Sequence, residues 1–474
     1  MTIVSFLALF LALLAPAQCP LTITATEDDS ANFPGAPQVE GPSFGQWQGR
    51  WVFIGGRIAG YHGVGMASAD FPRADANRDV WVVDTTVKPA KTYHVPVADL
   101  PASFSLLKDE WISNGQLSYQ DGSSLYIAGG YGQDSSGHWV TYPVISKVDL
   151  PRLIQGVMQG HLPAQSICFG TSPLVQSAGG EMQQLSDGYV YLVMGHVFTG
   201  NYTAFEGQGE HNAAAVSQIY LNEIRKLKIA PAKGSLSVTL VTKFTDDNEF
   251  HRRDLNITKT ISPSGVGLAV YGGVFTPDTQ LGYSKPIYLS PNGKPVVDST
   301  FEQKLNAYNC AKLVLYDRNE QAMYTTFFGG ISRYSWDPKS QSYIENARSA
   351  SKSDSNYLDG LQWSDQISTL RRVMVSGNPS TSETVQPVDL PGFVGTDALF
   401  IPAAGVAQAS EGTDILDLGP LRGKKTMVGY LYGGIQAYPF RFPYNKTAQP
   451  YNAGTVPTKP SDLILKVYVE AGKS

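Results

Sequence analysis

Apolar positions along this 474-residue chain gather in short runs instead of recurring at helical spacing. One such run is Trp51-Val52-Phe53-Ile54-Gly55-Gly56, in which aromatic and β-branched residues are closed by a glycine pair. It returns as Leu125-Tyr126-Ile127-Ala128-Gly129-Gly130, Leu268-Ala269-Val270-Tyr271-Gly272-Gly273, Phe327-Phe328-Gly329-Gly330 and Leu431-Tyr432-Gly433-Gly434. A sixth, Val190-Tyr191-Leu192-Val193-Met194-Gly195, keeps one glycine. Runs of this length and residue type predict strands. Turns at Asp121-Gly122, Asp187-Gly188 and Asp317-Arg318-Asn319-Glu320 join such runs to an earlier apolar segment. Asp-Gly suits a tight hairpin, whose central positions need positive φ. Beyond each glycine pair lies a long polar and aromatic loop, then another strand-like run such as Val80-Trp81-Val82-Val83-Asp84, Ile219-Tyr220-Leu221 or Leu463 to Val469. Each unit therefore predicts four strands.

A four-stranded twisted sheet cannot bury both faces alone, and stacking several sheets around an axis solves this. The glycine-closed strand, the long loop and the following Asp79-Val80-Trp81-Val82-Val83-Asp84 strand resemble the kelch repeat family, over roughly Gly45 to Val469. The resemblance implies an all-β chain, a kelch-type β-propeller of four-stranded blades, six by the count of glycine runs. A seventh blade could fall around Ala398-Leu399-Phe400-Ile401-Pro402, in the wide gap between Gly330 and Gly433. Too few residues separate Ile401 from Gly433 for a whole blade, so this segment reads as the inner strand or an insertion of the last unit. Two features depart from the family. Tyr93 stands where a Trp is usual, and the units are longer than the roughly 50 residues of a kelch repeat. The expected division is a signal peptide at 1–17, an N-terminal extension at 18–44 and a single propeller at 45–474. The way the ring closes is left open.

Composition narrows the class. Only 16% of residues are charged, against roughly 25% in an average domain, and glycine is abundant at 47. With 7 Trp, 25 Tyr and 20 Phe this excludes disorder and a helical bundle. A net charge of −5 without a basic block disfavours a nucleic-acid partner. Ile3 to Leu14 form an apolar run too short to span a bilayer, and Ala15-Pro16-Ala17 follows in the small-x-small pattern of a cleavage site. The n-region lacks Lys and Arg. The expectation is a monomer that is secreted, periplasmic or held at the cell surface, with no transmembrane segment. Gln18 and Pro16 argue against a lipid anchor on Cys19, while Cys168 and Cys310 read as buried free thiols. Asn201, Asn256 and Asn445 head glycosylation sequons that matter only in a eukaryotic host.

In a propeller the second-to-third-strand loops share one face with the fourth-to-first connections. Here loops 57–78, 197–216, 331–363 and 435–459 are long, whereas the first-to-second turns are short, which marks that face as the working one. The loops are aromatic, with Tyr61, Phe71, Tyr131, Trp139, Phe198, Tyr202, Phe205, Tyr334, Trp336, Tyr343, Tyr438, Phe440, Phe442 and Tyr444. These side chains suit sugar stacking or protein contact, and equally the packing of loops onto blades. His62, His138, His196 and His211 fall in the same loops, and His211 adjoins Glu210 with Glu206 nearby. Acid/base residues and plain surface residues are both open readings.

The family resemblance places Arg57, Tyr131, His196 and Arg333, which follow the glycine pairs, at the channel mouth. Two arginines there would favour a carboxylate-bearing ligand, or else pair with acids of neighbouring loops. Ligand-binding candidates are thus Arg57, His62, Tyr131, Trp139, His196, Glu206, Arg333 and Trp336. Weak catalytic candidates are Glu210, His211 and His196. Asp75, Asn77 and Asp79 resemble the start of a calcium loop, but Val80 replaces the required glycine and no Glu closes it, so no metal is expected. No cofactor motif occurs.

Two functions fit. One is an exported binding module that captures a protein or glycan on its long-loop face. The alternative is a sugar-modifying enzyme of the sialic acid mutarotase type, working at the channel mouth. A structural surface protein is a third, blander possibility. Copper chemistry of the galactose oxidase kind would need a Cys-Tyr link, and Cys168 and Cys310 lie outside the loops that would hold one.

Overall fold

The computed structural model describes residues 21–61, 71–202, 216–291, 293–349, 358–374, 379–439 and 456–472. The segment expected to be a signal peptide, Cys19, His62, Phe205, Glu206, Glu210, His211, Phe440, Phe442 and Tyr444 lie outside the described residues.

Among the described residues most strands fall in six antiparallel four-strand ladders, each ordered from its first-named strand; the second and fifth belong to larger sheets of seven and five strands, and two small sheets of two and three strands lie beside them. The first comprises Ser43–Trp47, Arg50–Ile54, Asp79–Asp84 and Lys91–Pro96. The second has Asn114–Asp121, Ser124–Gln133, Val144–Asp149 and Ile167–Thr171. The third has Glu181–Gln184, Val190–Val193, Glu223–Ala232 and Ser235–Thr245. The fourth is Arg253–Ser262, Gly265–Val274, Ile287–Leu289 and Pro295–Val297. The fifth is Ala311–Asp317, Ala322–Ser332, Gln362–Val373 and Ser380–Val385. The sixth joins Leu399–Pro402, Lys425–Tyr432 and Ile464–Ala471 to the N-terminal strand Leu21–Asp28. The chain is all-β with two short α-helices, Ser105–Trp111 and Leu150–Met158, and its sheet pattern is consistent with a β-propeller. No described helix is long and apolar enough to cross a membrane.

The apolar runs are continuous because these sheets are covered on both faces. Every residue of Ala322–Ser332 is buried. The core lies between successive ladders: Leu313, Tyr324 and Ile367 of the fifth pack with Val428, Leu465, Val467 and Ile23 of the sixth. Burying each Leu or Ile contributes roughly 1.5–3 kcal/mol.

The glycine pairs tie one ladder to the next. The second glycine donates its amide to the carbonyl that precedes the following ladder: Gly56 to Ser113 at 2.9 Å, Gly130 to Ser177 at 2.8 Å, Gly195 to Arg252 at 2.9 Å, Gly273 to Ala307 at 2.6 Å. Gly434 donates to Val39 at 2.9 Å and so joins the last ladder back to the first. The first glycine permits the close approach. A Cβ on Gly329, at φ +61°, would lie 2.0 Å from the Val394 carbonyl oxygen.

Three differences from the sequence reading have physical causes. Residues 21–28, assigned to the N-terminal extension, pair antiparallel with Ile464–Ala471. Leu21, Ile23 and Ala25 alternate inward, the pattern of a strand with one buried face. Ile219-Tyr220-Leu221 is not the third strand of its unit. Ser217–Tyr220 pairs with His196–Thr199 as a loop hairpin, Asn222 at φ +51° turns the chain, and the strand starts at Glu223. Finally, the first-to-second connection of the sixth ladder, residues 403–424, is long. Its Leu416–Asp417 pairs in parallel with Leu315 and Tyr316 of the fifth ladder, and Ile415, Leu416, Leu418 and Leu421 are buried. The segment 399–402 is the inner strand of the last unit, one of the two readings given to it. Cys310 is a buried free thiol, whereas Cys168 is only half-buried.

Candidate functional site

Ahead of the inner strands, residues from all six units meet. Gly41, Gly115, Gly179, Asp254 and Asp397 take positive φ between +51° and +65°, and Asn309 completes the set. Their backbones chain together: Gly179 donates to Gly115 at 3.2 Å, Asp254 to Gly179 at 2.6 Å, Asp397 to Asn309 at 3.1 Å and Gly41 to Asp397 at 3.0 Å. Asp is one of the few non-glycine residues that tolerates left-handed backbone, so the two aspartates bring side chains to places where the first three units have glycine.

These residues line a cavity of about 310 Å³. Inner-strand residues add to the lining, and an aromatic part of the wall comes from the region between second and third strands, namely Tyr61 and Phe71 of the first unit, Tyr131 of the second, and His196, Phe198 and Tyr202 of the third. The two described ends of the first loop stand over different ladders. Tyr61 packs edge-on against Tyr308 (6.4 Å) and Trp363 (5.6 Å), while Phe71 does so against Tyr131 (5.7 Å) and Tyr202 (5.6 Å). The Tyr131 hydroxyl donates to the Gly200 carbonyl at 2.5 Å and accepts from the Tyr202 amide at 3.0 Å, which fixes the third loop at the wall.

Charged groups sit inside this aromatic shell. Buried Arg253 donates through Nη2 to the Tyr202 hydroxyl at 2.8 Å, and its Nε lies 3.5 Å from Asp254 Oδ2. Burial disfavours its charge, but Tyr202, Tyr220 and Asp254 outweigh that and keep the guanidinium protonated. Burial raises the Asp254 carboxyl, and Arg253 opposes the rise. Lys312 pairs with Glu181 at 2.7 Å. Asp397 accepts from the Asn309 amide at 3.0 Å, and burial, with the nearby Asp254 charge, pushes it up to about 7. Burial, helped by Arg253, holds the His196 imidazole well below the usual histidine range, so it is neutral, and its Nδ1 lies 2.7 Å from the Gln218 amide nitrogen.

Of the ligand-binding candidates named from sequence, Tyr131 and His196 line this cavity, together with Tyr61, Phe71, Phe198 and Tyr202 from the aromatic loops. Arg57 does not: it is buried against Glu40 at 3.1 Å and Asp75 at 3.9 Å, with Phe71 under its guanidinium at 4.6 Å. Arg333 pairs with Glu345 at 2.7 Å on the separate hairpin Tyr334–Asp337 and Ser342–Glu345, where Trp336 packs against Tyr343. Both arginines thus follow the intramolecular alternative and are paired with acids. Trp139 is half-buried in the strand Trp139–Thr141, beside His196–Thr199. Asp75, Asn77 and Asp79 do not converge. Asn77 accepts from the Trp81 indole and donates to the Gly55 carbonyl, Asp79 contacts His94, and Asp75 faces Arg57. No cluster of metal-ligating side chains occurs among the described residues. His138 pairs with Asp134 away from the cavity.

Arg253, Asp254, Tyr308, Lys312 and Asp397 were not singled out from sequence. Their signal is positional: each falls just before, or at the start of, an inner strand, one glycine-closed hairpin earlier than the loop residues.

The chain is thus all-β, with the sheet pattern of a propeller and a polar, aromatic-walled cavity where its sheets converge. Neither a family model nor a curated protein matches it. Among solved structures, that of YjhT is similar over 90% of this chain and 95% of its own, with 11% identity and a TM-score of 0.46.

Proposed function

We propose that the chain is an exported six-bladed propeller of the kelch type that binds a glycan in the mouth of its channel. Six ladders, with a hydrogen bond from a glycine pair or its single-glycine counterpart at five of their junctions including last to first, support the blade count and the kelch reading. Residues 1–17 support export through their signal-peptide pattern.

The observation that carries the binding function is the cavity itself. Its volume of about 310 Å³ matches a small-molecule site, and its walls combine aromatic rings with convergent polar groups. A concave site of this size favours a sugar over a protein epitope, which takes a wide surface. Aromatic faces stack on pyranose rings while Asp397, His196 and Asp254 stand ready for hydroxyls. The test is a glycan array probed with the mature chain from Gln18 onward, followed by calorimetry. Tyr61→Ala and Phe198→Ala should each weaken capture about tenfold or more, the scale of one lost stacking contact. Capture of no glycan, or capture by both variants equal to that of the wild type, would sink the reading.

The alternative, a sugar-modifying enzyme of the mutarotase type, draws on the neutral imidazole of His196 and the two carboxyls of Asp254 and Asp397 in one cavity. Its general acid and base would come from these groups. Magnetisation exchange between the anomers of a captured reducing sugar, measured with and without protein, decides it.

A further inference from the structure

We propose that the ligand of this cavity is an amino sugar whose free, protonated amine is held by Asp397. The inference rests on the glycan reading above. It starts from the pairing of charges. Arg253 faces Asp254 at 3.5 Å and Lys312 faces Glu181 at 2.7 Å, while Arg57, just outside the cavity, faces Glu40 at 3.1 Å. Each cation has its own carboxylate. Asp397 is the carboxyl left over. Its one side-chain hydrogen bond comes from the neutral amide of Asn309, and no Lys or Arg nitrogen among the described residues stands within ion-pair distance.

An ionised carboxylate in a poorly solvated wall is costly unless a cation joins it. The groups acting on Asp397 are Asp254, which repels its charge, and Arg57 and Lys312, which stabilise it from farther off. The empty site therefore sits near the midpoint of its titration at neutral pH, and an ammonium would draw it fully into the charged form. Lys312 does not serve, because Glu181 holds it at 2.7 Å and Asn309 Oδ1 stands 3.4 Å from its Nζ.

The other walls favour the same ligand. Tyr61, Phe71, Tyr131, Phe198, Tyr202 and Tyr308 present aromatic rings to the cavity, and ring faces attract a cation as well as a sugar face. His196, only 6% exposed, uses Nδ1 on Gln218 and keeps Nε2 for a ligand hydroxyl. With the Gln218 amide donating, that Nε2 carries the proton and is the donor.

The test is calorimetric titration of the full mature chain at pH 7 with glucosamine, galactosamine and mannosamine, each beside its parent hexose and its N-acetyl form. The free amine should bind about tenfold tighter or better than both relatives, the equivalent of one desolvated ion pair or cation–π contact. Asp397→Asn should abolish that preference while leaving the weak binding of the parent hexose, and Arg333→Gln should change nothing. Should Asp397→Asn fail to fold, the wild-type preference at pH 5 replaces it and must shrink relative to pH 7. Equal binding of amine and hexose would overturn the amine assignment and leave the glycan reading intact. Binding of no sugar would overturn both. Calcium chloride titrated alone is the remaining arm: tight binding lost in Asp397→Asn would assign the carboxyl to a metal ion and overturn the proposal.

Discussion

The amide of Gly273 donates to the carbonyl of Ala307 across 2.6 Å, and the neighbouring Gly272 brings its Cα hard against the same residue. A Cβ built on Gly272 would fall 2.2 Å from the Ala307 oxygen, at a φ of +57°. Both constraints act on one residue. Left-handed backbone costs an L-residue roughly 1–2 kcal/mol, and the collision adds displacement of the next ladder. Gly272→Ala should therefore lower unfolding stability by at least about 2 kcal/mol more than Gly188→Ala, whose φ of +78° is similar but whose Cβ would meet open space. Urea unfolding of the two variants measures this, and equal losses would mean that the glycine pairs are not junctions.

Closure of the circle gives a second expectation. Ile23 is fully buried, and its amide donates to Gln386 Oε1 at 3.0 Å, while Gln386 Nε2 reaches Thr369 Oγ1 at 2.8 Å. The N-terminal strand thus fastens the sixth ladder to the fifth. Ile23→Ala should cost about 2–5 kcal/mol, the range for a buried Ile truncated in a rigid site. A loss below 0.5 kcal/mol, on the scale of a surface substitution, would show the strand to be peripheral.

The contrast between these two positions explains what the sequence could disclose. Gly272 was legible because a strand ending in a glycine pair is a local pattern that repeats. Leu21–Asp28 was not, since its partner Ile464–Ala471 lies at the far end of the chain and a strand's partner is not encoded in its own residues. The site divides the same way. His196 and Tyr131 could be located from the glycines that precede them, but whether Arg57 and Arg333 reach the cavity depends on which acid stands opposite, and that is a fact of packing. Asp254 and Asp397 look like turn residues in sequence. Only the meeting of six units turns them into a wall.

His196 offers a test of the site's electrostatics. Its imidazole is held below the usual 6.5 by burial first and by the Arg253 charge second. The nitrogen shifts of His196 should therefore report one neutral tautomer from pH 8 down through the ordinary histidine value of 6.5. Arg253→Gln removes the smaller cause and should move the titration upward without restoring it fully. The linkage has a definite sign. Below about pH 6.5 the unfolded chain takes up a proton that the folded one refuses, so this histidine lowers stability as the pH falls. His196→Gln should flatten that fall below pH 6.5. A titration at the ordinary value in the wild type would place the ring in solvent.

Glu110 makes the opposite case. It is fully buried, neither carboxyl oxygen has a hydrogen-bond partner among the described residues, and burial alone drives its carboxyl well above the usual 4.5. The folded chain therefore keeps a proton that the unfolded chain sheds above about pH 4.5, and stability contributed by this group declines as the pH rises. Glu110→Gln keeps the shape and removes the titration. At pH 5 the substitution should cost or gain little, because the unfolded wild type is then only half a unit past its ordinary value and the proton held by the folded state costs less than about 1 kcal/mol. At pH 8 the wild type carries a larger penalty that the variant lacks, since its unfolded state has shed the proton that the buried carboxyl still holds. Urea unfolding at the two pH values reads the difference directly. A stability change that is the same at pH 5 and pH 8 would mean that Glu110 is ionised in the folded protein, with a cation or water chain reaching it.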